Sequence, residues 1–148
     1  MEFIKKYFKD KTAAFYAACA LALISVITAI VYAAVFGGKQ DYMSWPGFVL
    51  MLLAGVAFFA LSVLGFAKWG IVAMSLLDFA ALLVSALVTY NYFVGFAING
   101  GIGAAFGDGA AVTFVVCMIL LVICCVAGNI AAWLSVRKKR AAKQGEKV

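Results

Sequence analysis

Apolar positions fill most of this chain in four long stretches, separated by three short breaks that hold polar residues and glycines. The stretches cover residues 12–36, 46–66, 70–94 and 110–136, and each holds more than 20 residues. At about 1.5 Å rise per residue, a helix of that length crosses a hydrocarbon core of about 30 Å. The pattern predicts an all-α fold, an antiparallel bundle of four transmembrane helices that belongs to a polytopic integral membrane protein.

The amino-acid composition argues against a soluble protein. The chain has 148 residues, of which 68% are hydrophobic, and its mean hydropathy is +1.12. Soluble domains carry about 45–50% apolar residues. A soluble helical protein would also need polar stripes along its helices, and residues 49–64 contain none. We therefore expect one membrane domain over residues 1–148.

Positive charge is concentrated on one side of the predicted spans. Four lysines precede the first stretch, Lys68 lies in the second break and six basic residues follow the fourth, whereas Lys39 alone lies in the first break. The positive-inside rule then places the basic tails, residues 1–11 and 137–148, in the cytoplasm. We expect a multi-pass protein of the plasma membrane, and the short breaks favour a bacterial cell membrane. The basic residues of the C-terminal tail are expected to contact anionic lipid headgroups and not nucleic acid.

The three breaks carry different signals. Ser44 followed by Pro46 is typical of a helix start, because proline is tolerated where amide donors are unpaired. The break near residues 65–70 is short enough to require a tight hairpin at the cytoplasmic side. Residues 95–109 include six glycines, which favours an outer loop; a dip into the headgroup layer or docking onto a partner are the alternatives. Asp108 is expected to cap the fourth helix.

Small and weakly polar residues recur at spacings of three and four in three of the stretches, and therefore share one face of each helix. In the first stretch they are Ala14, Ala18, Ala22, Ser25, Ala29 and Ala33; in the third, Ser75, Asp78, Ala81, Ser85 and Thr89; in the fourth, Thr113, Cys117, Cys124, Gly128, Ala131 and Ser135. Such faces let transmembrane helices approach closely, so these residues are predicted to form the packing surfaces.

Asp78 is the only Asp, Glu, Lys or Arg deep within a predicted span. A charge at that depth costs about 2.5–3.5 kcal/mol on insertion scales, so the side chain is expected to face the protein interior. Counting along the helices suggests an intramembrane polar layer of Asp78 with Tyr16 or Cys19, Ser62 and Asn129. We favour a polar clasp that fixes helix register. A proton, cation or small-ligand site is the alternative.

The residues that several kinds of catalytic or metal site require are missing from the sequence. The chain has no histidine, which removes imidazole catalysis and the common histidine metal ligands. The four cysteines form no CxxC pair and are expected to act as small apolar residues. Asp108 lies at the outer side and is too far from Asp78 to form an aspartyl dyad. We therefore expect no enzyme, no metal and no cofactor.

The function favoured by these patterns is a non-catalytic structural, accessory or partner-binding subunit. The alternative is a small oligomeric transporter or channel that uses Asp78. The expected partners are the lipid bilayer and either further copies of the chain or another membrane protein.

Overall fold

The computed structural model describes residues 13–39, 41–107 and 109–145, and helices account for most of these residues. The helices are α1 (Ala13–Phe36), α2 (Trp45–Val63), α3 (Ala67–Gly107) and α4 (Gly109–Gly145). Each contains a segment that is long and apolar enough to cross a membrane. The expectation of an all-helical fold with four long apolar helices is therefore confirmed for this part of the chain. Residues 1–11, Asp108 and the side chains of the basic C-terminal tail lie outside the described residues.

The connection between α1 and α2 ends in the predicted helix cap. Ser44 has extended backbone angles, and its hydroxyl accepts a hydrogen bond from the Gly47 amide at 3.2 Å. Pro46 follows in the first turn, where its missing amide proton leaves no helical carbonyl without a partner. We call the end of the helices that carries residues 37–44 the loop end.

The connection between α2 and α3 is the predicted tight hairpin. Gly65 adopts φ 85°, a backbone angle that glycine reaches without steric cost. Gly70 lets the start of α3 approach α2, because a Cβ atom there would lie 3.0 Å from the Phe58 carbonyl oxygen. The two helices pack along each other from this point. We call the end that carries residues 64–66 the hairpin end.

The structure corrects the expected loop over residues 95–109. The helix α3 does not end at residue 94 but continues to a break at Gly101, where φ is 76° and ψ is 169°, and is helical again up to Gly107. Glycine in a helix costs only about 1 kcal/mol relative to alanine, so glycines alone do not enforce a loop. Likewise, α4 extends beyond the fourth apolar stretch to Gly145.

Each helix packs along two others: α1 and α3 both contact α2 and α4, while α1 and α3 have few contacts with each other. The buried apolar residues form two clusters. The cluster toward the hairpin end includes Phe15, Leu21, Phe58, Met74 and Cys124. The cluster toward the loop end includes Tyr32, Phe36, Met51, Tyr92 and Phe114. The predicted small-residue faces supply much of this interior.

Candidate functional site

Asp78 lies at the centre of the helix packing, and its side chain is fully buried. It faces α1, where the Ser25 hydroxyl oxygen lies 2.6 Å from Asp78 Oδ1. Ser25 is twelve residues into α1 from Ala13, and Asp78 is eleven residues into α3 from Ala67, so the two side chains meet at matching heights. This contact joins two helices that otherwise have little contact.

Ser25 also reaches a third helix. Its hydroxyl oxygen lies 3.1 Å from the main-chain carbonyl oxygen of Met51 on α2. Both distances are within the range of a hydrogen bond. A hydroxyl group carries a single proton, whereas a carbonyl oxygen can only accept. Ser25 can therefore donate fully to Asp78 or to Met51, but not to both.

The rest of the Asp78 environment is short of donors. Asp78 Oδ2 has no hydrogen-bond partner, and the same is true of the buried hydroxyl group of Ser75, one turn away on α3. From α4, the thiols of Cys124 and Cys125 lie close enough to interact electrostatically with the carboxyl group. These thiols bond elsewhere: each donates weakly to a main-chain carbonyl at 3.7 Å.

No described lysine compensates a charge on Asp78. The Lys39 ammonium group donates a hydrogen bond to the Tyr92 hydroxyl at 2.6 Å, near the loop end. The Lys68 ammonium group lies 6.0 Å from the centre of the Trp69 ring, near the hairpin end. The carboxyl group is thus held among neutral groups.

The other residues of the predicted polar layer do not meet Asp78. Tyr16 is 48% exposed and lies nine residues before Ser25, about 13 Å nearer the hairpin end. Asn129 is exposed, and its amide donates to the Cys125 carbonyl of its own helix at 2.8 Å. Ser62 is buried but lies eleven residues beyond Met51 on α2, about 16 Å toward the hairpin end.

A second group of polar side chains, which the sequence pattern does not predict, lies near the loop end. The Tyr32 hydroxyl lies 2.7 Å from Thr89 Oγ1, and both side chains are fully buried. Thr89 donates to the Tyr42 carbonyl oxygen at 2.9 Å, and the Ser44 amide donates to the Tyr32 oxygen at 3.0 Å. Because Thr89 donates its only proton to Tyr42, Tyr32 must donate to Thr89.

This chain of hydrogen bonds ties the connection between α1 and α2 to α3. It runs from the Ser44 amide through Tyr32 and Thr89 to the Tyr42 carbonyl, and every member has its donor and acceptor matched. Tyrosine near the end of an apolar stretch is typical of an interfacial aromatic belt, yet the Tyr32 side chain is fully buried. A tyrosine in register with the small-residue face of α1 is the signal that could have indicated burial.

An open cavity of about 220 Å³ lies beside this group. It is lined by Tyr42, Tyr92, Gly95 and Asn99. The Tyr42 and Tyr92 rings meet edge to face, with 4.9 Å between their centres. The cavity owes its position to the unexpected extension of α3, because Gly95 and Asn99 belong to the added turns.

Two glycines let α3 pack against its neighbours through buried serines. A Cβ atom at Gly128 of α4 would overlap the Ser75 hydroxyl, and a Cβ atom at Gly47 of α2 would overlap the Ser85 hydroxyl. Both serines belong to the predicted small-residue face of α3. Because α3 lies so close to α2 and α4 at these points, the hydroxyl groups of the two serines are shielded from solvent.

Among the described residues, no group of three or more histidine, cysteine, aspartate or glutamate side chains could hold a metal ion. Comparisons with protein-family models, with curated proteins and with solved structures find no match for this chain.

Proposed function

We propose that this chain is a small integral membrane protein whose four helices form an antiparallel transmembrane bundle with both termini in the cytoplasm. The outward side chains support this proposal, because large apolar residues such as Leu23, Val63 and Leu87 are 54%, 71% and 76% exposed. A surface of that kind requires lipid or protein to cover it. The charge distribution, with Lys39 alone on the outer side, supports the orientation.

Within the membrane, the role is non-catalytic: the protein is a structural, accessory or partner-binding subunit. The observation that carries this proposal is the Ser25–Asp78 contact, in which the buried carboxyl group is engaged in holding α1 to α3. The Tyr32–Thr89 contact joins the same two helices closer to the loop end. Polar side chains used in this way fix the positions of helices and leave little for substrate chemistry.

Extraction of the native assembly tests this role. The protein is released from its membrane in polymer-bounded lipid particles, and the mass of each particle's protein content is measured. We expect either a defined homo-oligomer or a complex of fixed stoichiometry with another membrane protein. Particles that contain only single copies of the chain, at native expression, would overturn the proposal.

A transporter or channel that uses Asp78 is the second candidate, and the observation in its favour is the unpartnered Asp78 Oδ2. An oxygen without a partner is available to a proton or a cation. Purified protein in sealed vesicles should then carry a flux of protons, sodium or potassium that Asp78→Asn abolishes. Ser85→Ala is the matched control, since it removes another buried, unpartnered oxygen from α3. Equal leak in the wild type, both variants and protein-free vesicles supports the structural role.

A further inference from the structure

The two oxygen atoms beside the Ser25 hydroxyl group can both be fully hydrogen-bonded to it only if one more proton is present than Ser25 supplies. The Ser25 oxygen lies 2.6 Å from Asp78 Oδ1 and 3.1 Å from the Met51 carbonyl oxygen. If Asp78 is ionised, both neighbours are pure acceptors that compete for one hydroxyl proton. If Asp78 carries a proton, it donates to Ser25 and Ser25 donates to Met51. Only the second arrangement makes both short contacts full hydrogen bonds.

The surroundings also disfavour a charge at this position. The Asp78 side chain is 0% exposed, and its Oδ2 has no partner. An ionised carboxylate without a cation and with a single donor is among the most costly groups to bury. A protonated carboxyl group needs far less solvation, because one hydrogen bond satisfies its only donor.

The groups that face Asp78 from each neighbouring helix are neutral. The hydroxyl group of Ser25 comes from α1, and the carbonyl of Met51 comes from α2. The thiols of Cys124 and Cys125 come from α4, and within the part of the chain that the structure describes they are the titratable groups that interact electrostatically with the carboxyl group. None of these groups supplies a positive charge.

We propose that Asp78 is a proton-binding site, and that the bound proton completes a directed chain of hydrogen bonds from Asp78 through Ser25 to the Met51 carbonyl. Loss of the proton turns the Ser25 hydroxyl toward the carboxylate and breaks its bond to α2. The proton therefore links α1, α2 and α3 at one point. A proton bound at Asp78 is compatible with a structural subunit and with a transporter alike.

Infrared spectroscopy of the protein in lipid nanodiscs tests this proposal. The wild type at neutral pH is expected to show the carbonyl stretch of a protonated carboxylic acid, and carbon-13 in the aspartate carboxyl groups should shift that band. Asp78→Asn should remove the band, Ser25→Ala should shift it because its acceptor is lost, and Ser85→Ala should leave it in place. The remaining acidic side chains lie outside the apolar stretches, so loss of the band in Asp78→Asn assigns it to Asp78.

Two results would overturn the proposal. One is a wild-type spectrum at neutral pH in which no carboxylic-acid band shifts with carbon-13 aspartate. This measurement does not require any variant to fold. The other is a band that survives unchanged in Asp78→Asn. As a second readout, Asp78→Asn should keep the wild-type resistance to unfolding, because an amide group can donate to Ser25 as the acid does, whereas Asp78→Leu should lose it. An asparagine variant as unstable as the leucine variant would contradict a neutral acid.

Discussion

The hydroxyl oxygen of Ser25 lies 2.6 Å from Asp78 Oδ1, between two helices that otherwise have few contacts. The Tyr32–Thr89 hydrogen bond joins the same two helices nearer the loop end, at 2.7 Å. Two bonds at different heights fix the rotation of α1 relative to α3 as well as their separation. Apolar packing of small residues on its own would restrict rotation less, because dispersion contacts have little directional preference.

Tyr32→Phe is expected to lower the free energy of unfolding by about 1–2 kcal/mol. The variant loses the donor to Thr89 and leaves the buried Ser44 amide without its acceptor. Titration with denaturing detergent in mixed micelles measures the change. Tyr90→Phe is the matched control, because Tyr90 is 58% exposed and its change should stay within about 0.5 kcal/mol. Equal effects in the two variants would show that the hydrogen-bond chain contributes no stability.

Gly128→Ala is expected to destabilise the packing of α3 on α4 by about 1–3 kcal/mol, as overpacking does elsewhere. The added methyl group would overlap the Ser75 hydroxyl, while the Ser75 Cβ atom lies at an ordinary 3.5 Å. The double variant with Ser75→Ala should therefore recover most of the lost stability in the same detergent titration. A double variant no more stable than Gly128→Ala would place the steric conflict elsewhere.

Gly101→Ala tests the break in α3. Its φ of 76° and ψ of 169° are essentially restricted to glycine, so alanine there should cost about 1–3 kcal/mol or force a different backbone. Gly95→Ala is the control, since Gly95 is helical and a Cβ atom there meets nothing within 4 Å. Spin-label distances across the break, measured with both variants, report the backbone. A change in both variants, or in neither, would contradict the glycine-specific break.

Reporter fusions test the proposed orientation. A reporter that is active only in the cytoplasm should be active at either terminus and after Lys68, and inactive after Lys39. The physical reason is that basic residues near the ends of spans resist transfer across the membrane, and the proposed orientation leaves Lys39 as the one exception on the outer side. If the reporter is active after Lys39 and inactive after Lys68, the protein has the opposite orientation and the proposal is wrong.

Much of this fold follows from the sequence, because run length and helix caps are local properties. The four helices, the Ser44 cap and the hairpin at Gly65 are confirmed. The extension of α3 past residue 94 could not be foreseen, since glycines permit a loop without requiring one. The helix persists there until Gly101.

The partner of Asp78 does not follow from counting residues along the apolar stretches, for a geometric reason. Such a count misplaces Tyr16 and Ser62 in height, by about 13 Å and 16 Å, and it gives no direction for Tyr16 and Asn129, whose side chains are exposed. The small-residue faces indicate which side chains point toward the neighbouring helices. Ser25 and Asp78 each belong to such a face, and both are buried. Combining height with face would have paired them.

The most direct test of the Ser25–Asp78 clasp is a double-mutant cycle with Ser25→Ala and Asp78→Leu, read as free energies of unfolding. Leucine has the same branching as aspartate, although it is bulkier, and it offers no hydrogen bond. We expect a coupling of about 0.5–2 kcal/mol, the range of hydrogen bonds between membrane helices. Ser85→Ala with Asp78→Leu should be additive, because Ser85 lies seven residues further along α3. Additive effects of Ser25→Ala and Asp78→Leu would contradict the clasp.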